Sequence, residues 1–422
     1  DDLGLSSAQA AQLRRLAGKI FGEIFDRGRP PWEIHLVRGL EGQGSALILK
    51  THHCMLDGVA GFGLAKILFD TTPTVPKMVP PAYEPRAPRS GAVRFREALC
   101  DQVASRIEHW TRLQSGMLSF VGGLSLKEAQ DAGQEFLHTM GRFLLPLHRL
   151  TFNRGLSPGR RMTWRAFPLA EARAFRALCG GTLNDIALTL VSGAIRRHLG
   201  EARARAWNHM RVLVPVNMRE EGEVGALGNH ISFLPVEIPV AIAEPVERLH
   251  AIHRTMQRLK EARVAAGVAL LFESMQALPA TSQALGLGLL RTPGIQGGLG
   301  HLTAIPPANL VCTNVPGPTV PLFLLGHRMT ALYPTLPVCL GMGVAIAVTS
   351  YCDKFIFTLT GDATAARDVA HLAAALEQEY AELRAGTAAR AAEYERLRAA
   401  VSPPPGTPAR ASRRRRQHGD TA

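Results

Sequence analysis

The sequence predicts an α/β protein of two folding units, and three observations carry that reading. Segments with an apolar residue every three or four positions, such as Phe95, Leu99, Val103 and Ile107, have helical period. Segments of strand character stand among them, as at Val212 to Val216 and Val344 to Ser350. The chain has 422 residues, more than one ordinary domain, and proline dominates from Pro73 to Pro88 as a linker or crossover would require.

The elements follow in order. Leu5 to Phe25 reads as a helix, ended by Asp26-Arg27-Gly28-Arg29-Pro30-Pro31. Trp32, Ile34 and Leu36 then alternate with Glu33, His35 and Val37. Glycines at 39, 42 and 44 punctuate a turn before the apolar run Ala46 to Leu49, so the pair reads as a hairpin. Val59 to Phe69 is helical in character. A long amphipathic helix, with apolar positions from Phe95 through Trp110 and Leu113 to Phe120, could face either the core or a membrane; the neighbouring stretch Phe136 to Leu150 is also apolar and carries Arg142, His148 and Arg149. A second unit begins near Arg161. A helix opens at Thr182-Leu183-Asn184-Asp185, with Thr182 or Asn184 as N-cap and Ile186, Leu190, Val191, Ile195 and Leu199 on one face. Strands are predicted at Val212 to Val216, Ile231 to Val240, Asn309 to Thr313, Val344 to Ser350 and Phe355 to Thr360, and a last helix from about Thr364. The domains expected are 1–160, 161–400 and a disordered basic tail at 401–422.

Composition narrows the function. With 46% hydrophobic residues the chain can bury a large core, which excludes intrinsic disorder. The net charge is +13, and the tail from Arg410 contributes five Arg against one Asp. Such an excess suits phosphates on a cofactor or on lipid headgroups; no zinc-finger spacing, RNP signature or basic stretch interleaved with aromatics points to nucleic acid. The six cysteines are scattered with no CxxC pair, as expected of reduced thiols in the cytoplasm. Asp1 and Asp2 precede an Ala/Gln/Arg-rich helix rather than a secretory leader. Met329 to Cys352 is uncharged, yet Pro334, Pro337, Gly341 and Gly343 make it buried strands and turns rather than a membrane span.

The chemistry candidate is His52-His53-Cys54-Met55-Leu56-Asp57-Gly58, on a strand-to-helix turn. An imidazole with an unperturbed pKa of ~6.5 can take a proton from an alcohol and return it near neutral pH. His53 is placed for that by the end of a rigid strand, Asp57 lies near enough through the turn to fix the local geometry, and Gly58 leaves room for a substrate. Two ordinary histidines at a strand end are the plain alternative, but four specified residue types in seven positions weigh against it. A metal site is disfavoured because adjacent strand residues point to opposite faces and no third ligand follows at zincin spacing. Cys54 as a nucleophile is disfavoured because it points away from its neighbour His53.

HHxxxDG resembles the signature of the CoA-dependent acyltransferase superfamily, which includes chloramphenicol acetyltransferase and peptide-synthetase condensation domains. Further blocks narrow the resemblance: Phe25 to Glu33, Thr182 to Asp185, Pro215-Val216-Asn217-Met218-Arg219, Gly228 to Phe233 and Thr313-Asn314-Val315-Pro316-Gly317-Pro318. In this order, over roughly residues 10 to 385, they are similar to bacterial wax ester synthase/diacylglycerol acyltransferases. The resemblance implies an α/β fold of two chloramphenicol-acetyltransferase-like lobes, mixed sheets flanked by helices with a channel between them. It implies transfer of a long-chain acyl group from acyl-CoA to diacylglycerol or a fatty alcohol, with acyl-CoA as co-substrate and no permanently bound cofactor or metal. It makes His53 the base, with His52, Asp57 and Gly58 completing the motif and Asp57 chiefly structural, paired with Arg219. Asn184 and Asp185 match an Asn-Asp motif or simply cap a helix, and Asn314 lines the channel or caps a turn. Peripheral attachment to the inner membrane or to lipid inclusions is expected. An acceptor other than an alcohol, as in condensation domains, or a lipid-binding protein that no longer turns over, are the alternatives. Pro31 stands where the family motif has Leu, and family members carry an N-terminal stretch ahead of the region matched here, so the first lobe is expected to lack its first elements.

Overall fold

The computed structural model describes residues 5–55, 58–75, 89–122, 124–144, 147–217, 231–276, 282, 308–339 and 341–401. Asp57, Arg219, most of the proline-rich linker and the basic tail lie outside the described residues.

Helix α1 (Ser7–Gly22) starts where the Ser6 hydroxyl accepts from the Gln9 N–H, and Glu41 ties that cap to the turn of the following hairpin. The hairpin is β1 (Trp32–Leu40) against β2 (Gly44–Thr51), antiparallel, with Trp32 opposite Thr51. Helices α2 (Gly58–Leu68), α3 (Gly91–Val121) and α4 (Leu126–Leu144) complete the first part of the chain.

The rest is built on a six-stranded mixed sheet of β3 (Arg160–Pro168), β4 (His209–Asn217), β5 (Ile231–Pro239), β6 (Leu310–Val315), β9 (Val344–Tyr351) and β10 (Lys354–Asp362), in the order β3-β10-β9-β6-β4-β5. A small ribbon of β7 (Phe323–Leu324) and β8 (His327–Arg328) lies apart. The pairings β6–β9 and β4–β6 are parallel and the others antiparallel. Side-chain alternation gives this sheet two unlike faces. Val212, Ile346, Val348 and Phe357 on one face form the main core with α5 (Leu169–Cys179), α6 (Leu183–Leu199), α8 (Pro245–Glu261) and α10 (Val369–Val401). Helices α7 (Glu201–Trp207) and α9 (Val264–Gln276) lie beside these. On the other face α1 crosses β3, and Ala17, Ile20, Ile48 and Met162 form a second cluster. The approach is close: a Cβ at Gly22 would come within 2.8 Å of the Pro158 carbonyl oxygen.

The sequence places the apolar residues of the helix opening at Thr182 on one face, but α6 is buried all round from Asp185 to Ile195 because α5, α8 and α10 pack about it. For α3 the periodicity left core and surface open. Its stripe of Phe95, Leu99, Val103, Ile107 and Trp110 is exposed, since the helix packs on α9 through its other side, where Gly116 meets Leu270. The hairpin likewise turns Trp32, Ile34 and Leu36 to solvent. Among the described residues no single helix is long and apolar enough to cross a membrane.

Candidate functional site

Strand β2 stops at Thr51, two residues before His53, which was expected to end it, and the His52 N–H extends the ladder by donating to the Pro31 carbonyl at 2.9 Å. The chain turns at 53–55, closed by the Met55 N–H donating to the His52 carbonyl at 2.9 Å, and Gly58 opens α2. A backbone N–H can only donate. The Cys54 N–H at 3.2 Å from His52 Nδ1 therefore fixes Nδ1 as an acceptor and places the proton of neutral His52 on Nε2. The Cys54 thiol lies 2.9 Å from the same nitrogen. His52, exposed, is thus committed to its own turn. His53 is half-buried, and among the described residues its imidazole makes no hydrogen bond or ion pair.

A buried lysine that sequence reasoning passed over supports this turn from beneath. Lys50 is 5% exposed; its ammonium donates to the Glu23 carbonyl at 2.9 Å, lies 3.6 Å from the Glu33 carboxylate and sits 4.4 Å from the Phe25 ring centroid. Phe25 in turn lies 6.1 Å from the His52 ring. Hydrogen bonding to His35 first, with the Lys50 charge adding to it, holds the Glu33 carboxyl below the usual carboxylate range. One cation thereby joins the end of α1, both hairpin strands and, through Phe25, the histidine turn. The visible signal was a lysine near the end of the apolar strand Ala46 to Thr51.

The remaining candidates lie elsewhere. Thr182, not Asn184, caps α6 in a reciprocal capping box: the Thr182 hydroxyl accepts from the Asp185 N–H at 3.2 Å, and the Asp185 carboxylate accepts from the Thr182 N–H at 2.8 Å. Asp185 is 1% exposed and also meets His253 Nδ1 on α8 at 2.9 Å, a partner no spacing in the sequence announced. Asn184 is half-buried on the first turn of that helix. Asn314 sits on β6 opposite Val348, on the side of the sheet that carries Leu310 and Cys312. Among the described residues no hydrogen bond or ion pair joins the histidine turn to Asn184, Asp185 or Asn314, and no group of three or more His, Cys, Asp or Glu could hold a metal ion. Chemically, the arrangement offers an imidazole that no described residue engages, on a turn that follows the hairpin, suited to general-base work on a hydroxyl.

Comparison with known proteins gives a consistent result. The family model described as the wax ester synthase/diacylglycerol acyltransferase catalytic domain matches residues 6–187, and the model of the WS/DGAT C-terminal domain matches residues 227–384. A Mycobacterium tuberculosis protein named "Putative diacylglycerol O-acyltransferase" is 30% identical over 392 residues, which cover 91% of this chain and 79% of that protein. The O-acyltransferase WSD of Acinetobacter baylyi is 28% identical over 365 residues, covering 84% and 74%. Among solved structures, the wax ester synthase/diacylglycerol acyltransferase from Marinobacter aquaeolei VT8 superimposes with a TM-score of 0.59 at 22% identity, covering 89% of this chain and 77% of that one. The starter condensation domain of rhizomide synthetase gives 0.50 at 12% identity, covering 91% and 75%. At those identities the two structures speak for the fold.

Proposed function

This chain belongs to the wax ester synthase/diacylglycerol acyltransferase family and is an acyltransferase, and from that premise we propose that it moves a long-chain acyl group from acyl-CoA to diacylglycerol, a long-chain alcohol or both, with His53 as general base. The observation that carries this reading is the histidine turn, where His52 is hydrogen-bonded to Cys54 and His53 has no hydrogen bond or ion pair among the described residues. In the proposed step His53 takes the hydroxyl proton as the acceptor oxygen attacks the thioester carbon. The tetrahedral intermediate collapses, the carbon–sulfur bond breaks, and the CoA thiolate leaves and is protonated by the imidazolium. The test is to supply acyl-CoA with diacylglycerol, hexadecanol or a long-chain amine and to follow free thiol and product together. Ester formed in equal amount to CoA supports the reading; amide alone, or lipid bound without turnover, replaces it. Residues 1–160 and 161–400 are taken as the two lobes.

Asp57 acts on this reading through architecture, paired with Arg219. Asp57→Asn is expected to lower both thermal stability and activity, and Arg219→Ala to lower both without further loss when the two are combined. Fully additive losses in a double-mutant cycle would show that the two side chains do not interact.

The acceptors are too apolar to reach the site in quantity through water, and the exposed stripe on α3 supplies a face for a lipid surface. Each Lys or Arg near an anionic surface adds about 1 kcal/mol, screened by salt, so the arginines at 413–416 assist without anchoring alone. Deleting residues 403–422 is expected to weaken binding to anionic liposomes at low salt only, and Ile107→Glu with Trp110→Glu to weaken it at every salt concentration. Wild-type co-sedimentation of the folded double mutant in high salt would remove α3 from the interface.

A further inference from the structure

The two faces of the central sheet differ in a way the main core does not require. Where the helix-covered side of β9 and β10 carries Ile346, Val348, Phe355, Phe357 and Leu359, the other side carries Ala345, Ala347, Thr358 and Thr360. Register brings these together: Thr358 is paired with Trp164 on β3 and with Ala347 on β9, and Thr360 with Met162 and Ala345. The two alanines leave a low floor beside the threonines. The Trp164 ring, stacked at 4.5 Å on Tyr333, walls it on one side.

Among the described residues, three polar atoms on this floor are buried without a partner: the Trp164 indole nitrogen and the hydroxyls of Thr358 and Thr360. All three residues are at most 5% exposed. Trp164 and Thr358 are directly opposed, with Cβ atoms about 5 Å apart in such a pair, and Thr360 is two positions along β10 on the same face. Buried polar groups are almost always satisfied, and three orphans on one face of adjoining strands call for a partner that the described residues do not supply. An indole N–H only donates and a threonine hydroxyl donates readily, so that partner is an acceptor oxygen; the Arg14 guanidinium stands 5.3 Å from the Trp164 ring centroid. The group also lies near the histidine turn. Met162, the second residue before Trp164, packs with Ile48 of β2, and His52 follows Ile48 by four residues, about 13 Å along an extended chain.

We infer that Trp164, Thr358 and Thr360 form a seat for the carbonyl oxygens of esterified acyl chains, a specificity element that separates ester-bearing lipids from plain alcohols. This rests on the acyltransferase reading and deepens it. Two sources carry the required oxygen, the ester carbonyls of diacylglycerol and the thioester carbonyl of acyl-CoA, and the test distinguishes them.

Thr358→Val and Thr360→Val are nearly isosteric, and Trp164→Phe removes the indole donor. Each variant of the full chain is assayed with diacylglycerol and with hexadecanol. Calorimetry with dioctanoylglycerol, octanoyl-CoA and decanol gives binding independently of turnover. Because the hydroxyls have no partner among the described residues, the valine variants are expected to keep the wild-type melting temperature. A KM for diacylglycerol raised about tenfold, with hexadecanol turnover unchanged, assigns the seat to the acceptor; one neutral hydrogen bond accounts for a change of that order. A KM for acyl-CoA raised equally with either acceptor assigns it to the donor. Unchanged KM and unchanged binding of both ester ligands in all three variants overturns the inference, the orphans then being satisfied by water or by nothing. If the wild type turns over neither acceptor, the proposed activity fails and calorimetry alone decides the seat: weaker dioctanoylglycerol or octanoyl-CoA binding in the valine variants upholds it, and equal binding ends it.

Discussion

Replacing His53 by alanine is expected, on the proposed reading, to lower the rate of acyl-CoA-dependent CoA release by about 10²- to 10⁴-fold, the usual cost of removing a general base, while Cys54→Ala is expected to retain most of it. The difference follows from the turn. Cys54 lies 2.9 Å from His52 Nδ1, so its loss disturbs a neighbour and leaves the His53 imidazole intact. His52→Ala is expected to fall between the two, since it removes the side chain that accepts the Cys54 N–H and holds the turn's shape. Steady-state kinetics on the three variants settle the order, and a Cys54→Ala loss larger than that of His53→Ala would assign the chemistry to the thiol.

Glu379→Ala destabilises the protein by about 3–5 kcal/mol, the cost of leaving a buried charge unpaired. Arg248 is wholly buried on α8 and ion-paired with Glu379 on α10, which is 2% exposed and also accepts from Arg197 on α6 at 2.6 Å. Arg248 spends its other donors on the carbonyls of Ile242 at 2.9 Å, Ala243 at 3.2 Å and Thr189 at 3.3 Å. Burial pulls the Arg248 pKa down and the Glu379 carboxylate pulls the other way. Gly193 makes the arrangement possible, since any Cβ there would collide with both side chains of the pair. Replacing both partners, as Arg248→Met with Glu379→Leu, removes the orphaned charge and is expected to cost far less than Glu379→Ala alone. Urea denaturation of the single and double variants tests this, and equal losses would mean that packing rather than charge governs the site.

The contrast between these two sites tells how much could be read in advance. Helix α1, the hairpin and strands β4, β5, β6, β9 and β10 were legible because their apolar patterns match the helical or strand period over many residues. The histidine turn was legible because its spacing is local. Strand β3 was not: Arg160, Arg161 and Arg165 interrupt its alternation, and its place at the sheet edge depends on β10, far along the chain. Nor was the Arg248–Glu379 pair, because a charged residue on a polar-looking helix reads as solvated until three helices are seen to close over it. The exposed stripe on α3 was ambiguous in principle, since amphipathic period says which residues share a face and not what that face meets. Asp185 illustrates the limit of a motif: its capping role follows from sequence, whereas its contact with His253 arises only from the packing of α6 against α8.

The edge position of β3 carries a consequence for how the chain is made. Its nearest register pair, Pro168 with Lys354, spans 186 residues, and among the described residues β10 is its sole strand neighbour in the sheet. At a synthesis rate of about 5–20 residues per second, β3 leaves the ribosome about 10–40 s before its partner exists. During that interval α1 and the hairpin have no completed sheet to close upon, and an unpaired strand bearing Trp164 and Phe167 is open to other chains. The earliest strand of the sheet thus waits for the latest, and the histidine turn reaches its final surroundings only near the end of translation. Slow elongation past residue 168 therefore lengthens the protein's dependence on chaperones.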